Sequence, residues 1–248
     1  MSIESRQNFP KGLKQPETGF RFSTDSLLLS SFVSVSGKTT ILDLGTGCGV
    51  IPLGIALNNL DSELSITGVD ISSDMQESAK QNINLLGFAD KIKIIEGDVS
   101  NPQFAPAESF DLVVSNPPYW CEGRGRLCTD ADRSRARFEV ETELEDFVKT
   151  AARMVRFRGK VCFVFLAERI TQLLAALTAF KLEPKRIKFV HSHIDRPAKV
   201  VLVEAVKRGK SGLIVEQPLI LFDENIEGSV YLQSALDYCK FIKKSSLK

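Results

Sequence analysis

"ILDLGTGCGV", Ile41 to Val50, decides how this chain is read. Together with Thr39 and Thr40 its first residues make a short buried strand, and "CGVIPLGIALNN" continues with a helix pattern. Between the two, Gly45, Gly47 and Gly49 let the backbone turn tightly and approach a ligand. Pro52 falls in the first turn of the helix, where a missing N–H costs little. A strand, a glycine-rich turn and a helix, in that order, put a nucleotide-type ligand at the carboxyl ends of a parallel sheet.

Working outward, the pattern repeats. "LSITGVDI" is a second strand, and "SSDMQESAKQNINLLG" is a helix that Ser72 or Ser73 can cap and Gly87 can end. "KIKIIEGD" and "FDLVVSN" are a third and a fourth strand. "ETELEDFVKTAARMVRF" reads as a helix, "GKVCFVFL" as a fifth strand and "ERITQLLAALTAF" as a helix. "RIKFVHS" and "AKVVLVEAVK" have no helix between them and should pair antiparallel. "GLIVEQPLILF" is extended, and a short helix closes the chain near Tyr231 to Ile242. Upstream, "TDSLLLSSFV" has apolar residues at helical spacing behind a Thr/Asp cap. The expected fold class is therefore α/β, Rossmann-like, with a mostly parallel sheet and helices on both faces. A single domain spans 1–248, with an N-terminal arm at 1–22 and a C-terminal extension at 223–248.

At 43% hydrophobic and 25% charged residues the composition is that of an ordinary globular protein. No apolar run approaches the ~20 residues a membrane span needs. The polar N-terminus lacks the apolar core of a signal peptide. The five cysteines are odd in number and scattered, without the second pair a zinc site requires. These features point to reduced thiols, a cytoplasmic protein, no metal and no membrane. The net charge of +1 hides an asymmetry. Residues 1–110 hold 8 basic and 13 acidic residues, and 111–248 hold 24 and 18. The stretch 181–210 alone carries 9 basic against 3 acidic. Such a patch could meet a polyanion, and a solvated face of mixed charge would read the same way.

The glycine spacing narrows the ligand. It runs G-x-G-x-G after Asp43, not the G-x-G-x-x-G of a dinucleotide fold. A pyrophosphate wants helix N–H groups and no nearby anion. A carboxylate at the strand end favours a cationic or hydroxyl-bearing ligand, and S-adenosylmethionine carries an ammonium and a sulfonium and no phosphate. Asp70, closing the second strand, can accept both ribose hydroxyls. Asp98, closing the third, can accept from an adenine amine while Ile71 covers the ring. One aspartate at a strand end is usually a turn residue, but three at successive tips are harder to dismiss.

The fourth strand breaks at "FDLVVSNPPYW", Phe110 to Trp120. Asn116 offers an acceptor oxygen and two donors, and Pro117 a carbonyl. Two acceptors suit a group with two N–H donors, an exocyclic amine or an amide. The lone pair of such a nitrogen is delocalised. Hydrogen bonds from both N–H groups return density to nitrogen, and they strengthen as it gains positive charge in the transition state. Tyr119 can stack on a planar substrate, worth ~1–3 kcal/mol per base, and Trp120 can form a second wall. No strong base is needed, because an alkylated aminium is acidic. His191 and His193, the only histidines, read as ordinary structural or surface residues.

"DLGTGCG", "GVD", "EGD" and "SNPPY" resemble the class I S-adenosylmethionine-dependent amino-methyltransferases. Within them, "GFRFSTDSLLLSSF", "NPPYW", "RSRARFE", "LEPKRIKFVHS" and "AKVVLVEAVKRGK" resemble the bacterial valine-tRNA adenine-N6-methyltransferase family, over residues 9–222. The resemblance implies a seven-stranded sheet whose last strand is antiparallel. It also implies methylation of N6 of the adenine at tRNA position 37, just 3′ of the anticodon. Asn116, Pro117 and Tyr119 would hold that base. Asp43, Gly45, Gly47, Gly49, Asp70, Ile71, Asp98 and Asn116 would line the S-adenosyl-L-methionine site, and Thr24 or Asp25 would approach the methionine end. Trp120, Arg124, Arg126, Arg133, Arg135, Lys185 and Arg186 would contact the tRNA anticodon stem-loop. The enzyme would act as a monomer. An anticodon-loop base is single-stranded, so flipping it costs little. The tail after Phe222 has no counterpart in the resemblance.

Two other functions use similar residues. A protein glutamine N5-methyltransferase acting on release factors shares the Asn-Pro-Pro-Tyr logic, because an amide poses the same problem. Those enzymes usually carry a helical domain before the glycine loop, and only about 40 residues precede Asp43 here. Amines on another RNA or DNA base remain as substrates. A non-catalytic RNA-binding protein on this fold would not need the intact aspartates and Asn-Pro-Pro-Tyr set.

Overall fold

β1 (Thr39–Leu44) and β4 (Phe110–Ser115) each bury five of their six residues. A strand covered on both faces reads as a continuous apolar run and takes the middle of a sheet. The computed structural model describes residues 3–16, 21–118, 144–223 and 230–245. Before β1 come α1 (Ile3–Asn8) and α2 (Thr24–Phe32). α3 (Val50–Asn58), β2 (Leu64–Asp70), α4 (Ser73–Leu86) and β3 (Ile92–Glu96) lead to β4. After β4 the described chain runs through α5 at 144–154, β5 (Val155–Leu166), α6 (Ile170–Ala179), β6 (Leu182–His191) and β7 (Ala198–Lys207). Two short strands, β8 (Ile214–Val215) and β9 (Leu219–Ile220), and two short helices, α7 (Gln233–Tyr238) and α8 (Ile242–Ser245), complete it.

The strands form one sheet in the order β3-β2-β1-β4-β5-β7-β6-β8, with β9 also beside β6. Strands β1 to β5 pair parallel. β7 runs antiparallel to both β5 and β6, as the helix-free connection requires. The seven expected strands are present, and the two short ones extend the outer edge of β6 within "GLIVEQPLILF". One face of the sheet is covered through Leu28, Phe32, Ile55, Ile83 and Ile242. The other is covered by α5 and α6 through Val148, Leu173 and Leu177. α4 starts at Ser72, whose Oγ accepts from Met75 N, and ends at left-handed Gly87.

The structure departs from the sequence expectations in three places. α5 ends at residue 154, three residues early, because Val155 already pairs with Phe110. The register then shifts before Lys160 pairs with Leu112, so sheet pairing overrides the helical pattern of "MVRF". The cap of α2 is Ser23, whose Oγ accepts from Asp25 N at 3.3 Å, rather than Thr24 or Asp25. The N-terminal arm is also a structural part. Arg6 donates to the carbonyls of Leu86 (2.7 Å) and Gly87 (2.8 Å), closing the C-terminus of α4. Phe9 is buried edge-on against Phe241 of the C-terminal extension, ring centroids 4.9 Å apart. That extension places Cys239, Phe241 and Ile242 in the core.

Candidate active site

The strand order reverses between β1 and β4, the position where open α/β sheets form their ligand crevice. An open cleft of about 1040 Å³ lies there. The glycine loop forms its floor. Gly45, Gly47 and Gly49 all have positive φ (70°, 55° and 81°). At Gly45 a Cβ would also lie 3.2 Å from Cε1 of Phe147, so a side chain there is opposed twice.

Asp70 closes the loop. Its Oδ2 accepts from Gly47 N at 2.8 Å and its Oδ1 from Ser72 N at 2.9 Å. A carboxylate has about four lone-pair positions, so these two bonds do not exhaust it, and Asp70 lines the cleft. Ile71 is 68% exposed at the rim, an apolar side chain left uncovered beside the aspartates. A recess of about 450 Å³ continues from it toward Gly97, Asp98 and Phe104. Asp98 Oδ1 accepts from both N and Oγ of Ser100, at 2.8 and 2.7 Å, which orients the carboxylate on that wall.

Asp43 lies behind the loop with no exposed surface, and among the described residues neither of its oxygens has a hydrogen-bond partner. Burial pushes its carboxyl up to about 8. The polar Thr46 side chain works the other way, although its hydroxyl completes no hydrogen bond, and the charge of Asp70 adds to the rise. An unsatisfied buried carboxyl is costly; unlike Asp70 and Asp98, Asp43 does not line the cleft but backs its loop from behind. Cys48 also lines the cleft, but burial pushes its thiol up to about 12 and removes it as a nucleophile.

Asn116, Pro117 and Pro118 stand at the tip of β4 on the same cleft. Asn116 Nδ2 donates to Ser26 Oγ of α2 at 2.9 Å. That bond fixes which way the amide faces and puts Oδ1, the acceptor the chemistry needs, on the other branch. Ser26 is buried and was not expected at the site. Neither were Phe147 and Asp146 of α5, nor Phe22 before α2. Ser26 sits in a helix buried nearly all round and Phe147 in an amphipathic one, where each is indistinguishable from a core residue. Asp25 lines the cleft, with its carboxyl raised by burial against the opposing effects of Ser23 and Lys199. Thr24 begins α2 and does not line it.

Two expected contacts lie elsewhere. Lys185 and Arg186 sit near the start of β6, away from the rim. Arg186 pairs with Glu204 at 3.2 Å and Glu216 at 3.0 Å, donates to the Phe32 carbonyl at 2.8 Å and stacks on the Phe32 ring. It braces α2, with its guanidinium engaged by the two glutamates, the Phe32 carbonyl and the Phe32 ring. Lys185 Nζ is held by the carbonyls of Gly212 and Lys210. His191 holds the Arg196 carbonyl through Nδ1 at 2.8 Å, and His193 packs near Phe222. Tyr119, Trp120, Arg124, Arg126, Arg133 and Arg135 lie outside the described residues. Among the described residues no helix is long and apolar enough to cross a membrane.

This cleft and sheet define a class. Residues 22–131 match the family model described as the methyltransferase small domain. A predicted O-methyltransferase of known structure from Agrobacterium tumefaciens superposes with a TM-score of 0.69 at 23% identity, over 88% of this chain and 96% of its own. The relatives narrow the class. The tRNA1(Val) (adenine(37)-N6)-methyltransferase of Tolumonas auensis is 33% identical over 67% of this chain and 68% of its own. That of Parabacteroides distasonis is 31% identical over 74% and 76%. The chain belongs to the tRNA1(Val) (adenine(37)-N6)-methyltransferase family.

Proposed function

We propose that this protein is an S-adenosyl-L-methionine-dependent methyltransferase acting on N6 of an adenine in tRNA, at position 37 beside the anticodon. The observation that carries the reading is Asn116 at the end of β4, its amide held by Ser26 on the wall of the glycine-loop cleft. S-adenosyl-L-methionine would supply an electrophilic methyl group, its sulfur–methyl bond breaking to leave a neutral thioether. Asp70, Ile71 and Asp98 suit its ribose and adenine, and Asp25 with the glycine loop, on the same cleft, suits its charged methionine end, with Asp43 buried behind the loop. Asn116 and the Pro117 carbonyl accept the two N6 hydrogens and raise electron density on nitrogen as its bond to the methyl carbon forms. These bonds tighten as nitrogen becomes cationic. The product aminium then loses a proton to solvent. The protein acts as a cytoplasmic monomer on the anticodon stem-loop.

The test uses methyl-labelled S-adenosyl-L-methionine with tRNA, rRNA, DNA and release factor offered separately, followed by digestion and product identification. N6-methyladenosine from tRNA is the expected product. Label only in release factor would instead establish amide methylation.

A further inference from the structure

All four described non-glycine residues with positive φ lie at the end of the sheet opposite the cleft: Glu108 (57°), Arg158 (61°), Lys181 (60°) and Arg208 (51°). Glu108 precedes β4, Arg158 lies near the start of β5 where its register with β4 shifts, Lys181 precedes β6 and Arg208 follows the antiparallel β7. Left-handed backbone is disfavoured for any residue with a Cβ, and glycine is the usual occupant. Three of these four places hold a cation instead. They are joined in one surface: Arg208 N donates to the Lys181 carbonyl at 2.8 Å, and Arg158 Nη1 to the Arg208 carbonyl at 3.3 Å. Strained residues that persist point toward a use for their side chains.

The surrounding charge gives that use. Segments 153–158, 181–185 and 207–210 hold eight basic residues and one acidic one. Arg156 is paired with Asp111, and Lys207 with Glu108. Arg153, Arg158, Lys181, Arg208 and Lys210 are exposed and form no ion pair among the described residues. Phe157, 59% exposed, stands among them, with the Arg158 guanidinium 5.9 Å above its ring. Unpaired guanidiniums and ammoniums around an exposed aromatic match a phosphate backbone with a base or sugar to pack on. The patch is about ten strand residues from the rim, roughly 30 Å along β5.

We infer that this amino-end surface is a second RNA contact, binding the phosphate backbone of the substrate tRNA at a distance from the reacting base. The inference rests on the tRNA reading above. A tRNA extends far beyond its anticodon stem-loop, and with the reacting base in the cleft a contact this remote falls to the rest of the molecule. The remote surface gives affinity and orientation without reading sequence.

The backbone supplies a clean test. In the triple variant Arg158→Gly/Lys181→Gly/Arg208→Gly three charges are lost where glycine is the conformationally preferred residue, so folding is spared. Binding of full-length tRNA is measured at several salt concentrations beside binding of the isolated anticodon stem-loop, with S-adenosyl-L-methionine affinity as a control. The expected result is roughly tenfold or greater weakening for full-length tRNA, with the salt slope lower by about 2–3. KM for tRNA should rise with kcat retained, and affinities for the stem-loop and S-adenosyl-L-methionine should not change. An unchanged affinity and salt slope for full-length tRNA would overturn the inference, as would equal losses for tRNA and stem-loop. If the wild-type protein neither binds nor methylates tRNA, the functional reading itself fails, a result distinct from either.

Discussion

The two ends of this sheet treat left-handed backbone in opposite ways. At the carboxyl end the left-handed places of the glycine loop belong to Gly45 and Gly47 on the cleft and to Gly49 against Ala79 behind it, with the carboxylates of Asp25, Asp70 and Asp98 on the same cleft. At the amino end the left-handed places belong to Arg158, Lys181 and Arg208, with Glu108 beside them. Where a ligand must approach the main chain, a Cβ is in the way and glycine wins. Where the side chain itself is needed, the strain is retained. The difference separates an end built for chemistry from an end built for charge, and substitutions at each should fail in different assays.

The largest effect belongs to Asn116→Ala at the carboxyl end. It removes the acceptor that strengthens in the transition state. Turnover should fall ~10²–10³-fold or more, the scale of losing one transition-state hydrogen bond, while S-adenosyl-L-methionine affinity by calorimetry stays near wild type. Near-normal turnover would remove Asn116 from the mechanism. Asp70→Ala comes next. It takes away the acceptor that ties Gly47 to Ser72 and that faces the cleft. Hydrogen bonds to a charged group are worth ~1.5–3 kcal/mol, so cofactor affinity should weaken roughly 10–100-fold. Full-length tRNA should still bind through the amino end; loss of both affinities would show that the two ends are not independent.

Asp43 gives a pH test of the acidic end. Its carboxyl is held up at about 8 by burial, against an ordinary value of 3.8. Between those values the folded protein keeps a proton that the unfolded chain releases. Stability therefore falls as pH rises from about 4 to about 8, and this contribution levels off above 8. Asp43→Asn mimics the protonated form and should flatten that part of the profile, gaining on the wild type more at pH 8 than at pH 5. Urea unfolding at a series of pH values checks it. Parallel profiles for the two proteins would show that Asp43 is ionised in the folded state.

The cleft was legible where the chemistry is carried by residues with few structural uses. Glycines and aspartates at successive strand tips, and an Asn-Pro-Pro run ending a buried strand, are costly unless something occupies the site, so spacing alone exposes them. Ser26 and Phe147 were not legible, because a serine in a helix buried nearly all round, or a phenylalanine on the apolar face of an amphipathic one, satisfies the core pattern equally well. Arg186 misled for the converse reason. Its place in a basic stretch resembled a phosphate contact, but Glu204 and Glu216, distant in sequence, already neutralise it. The packing of Phe9 on Phe241 was hidden too, since it joins the two ends of the chain. The early start of β5 at Val155 was set by pairing with Phe110, about 45 residues upstream, which no local pattern records.

The smallest effect sharpens the comparison most. If the amino-end cations are kept for their charge, the fold should be better off without them. Lys181 N donates to Thr178 O and Lys181 O accepts from Arg208 N, both main-chain bonds that glycine retains. Lys181→Gly relieves a left-handed strain of ~1–2 kcal/mol and offsets it with the ~0.5–1 kcal/mol of extra chain entropy that glycine loses on folding. The net is a gain of up to about 1.5 kcal/mol, readable as a higher urea midpoint at unchanged slope. Glu108→Gly relieves the same backbone strain but surrenders the 2.8 Å ion pair with Lys207, so it should gain less. Gly45→Ala, at the same φ sign in the cleft, should lose stability, since the added methyl meets Phe147 at 3.2 Å. A Lys181→Gly protein no more stable than wild type would mean that the left-handed lysine costs nothing, and that backbone strain is no guide to why a cation stands there.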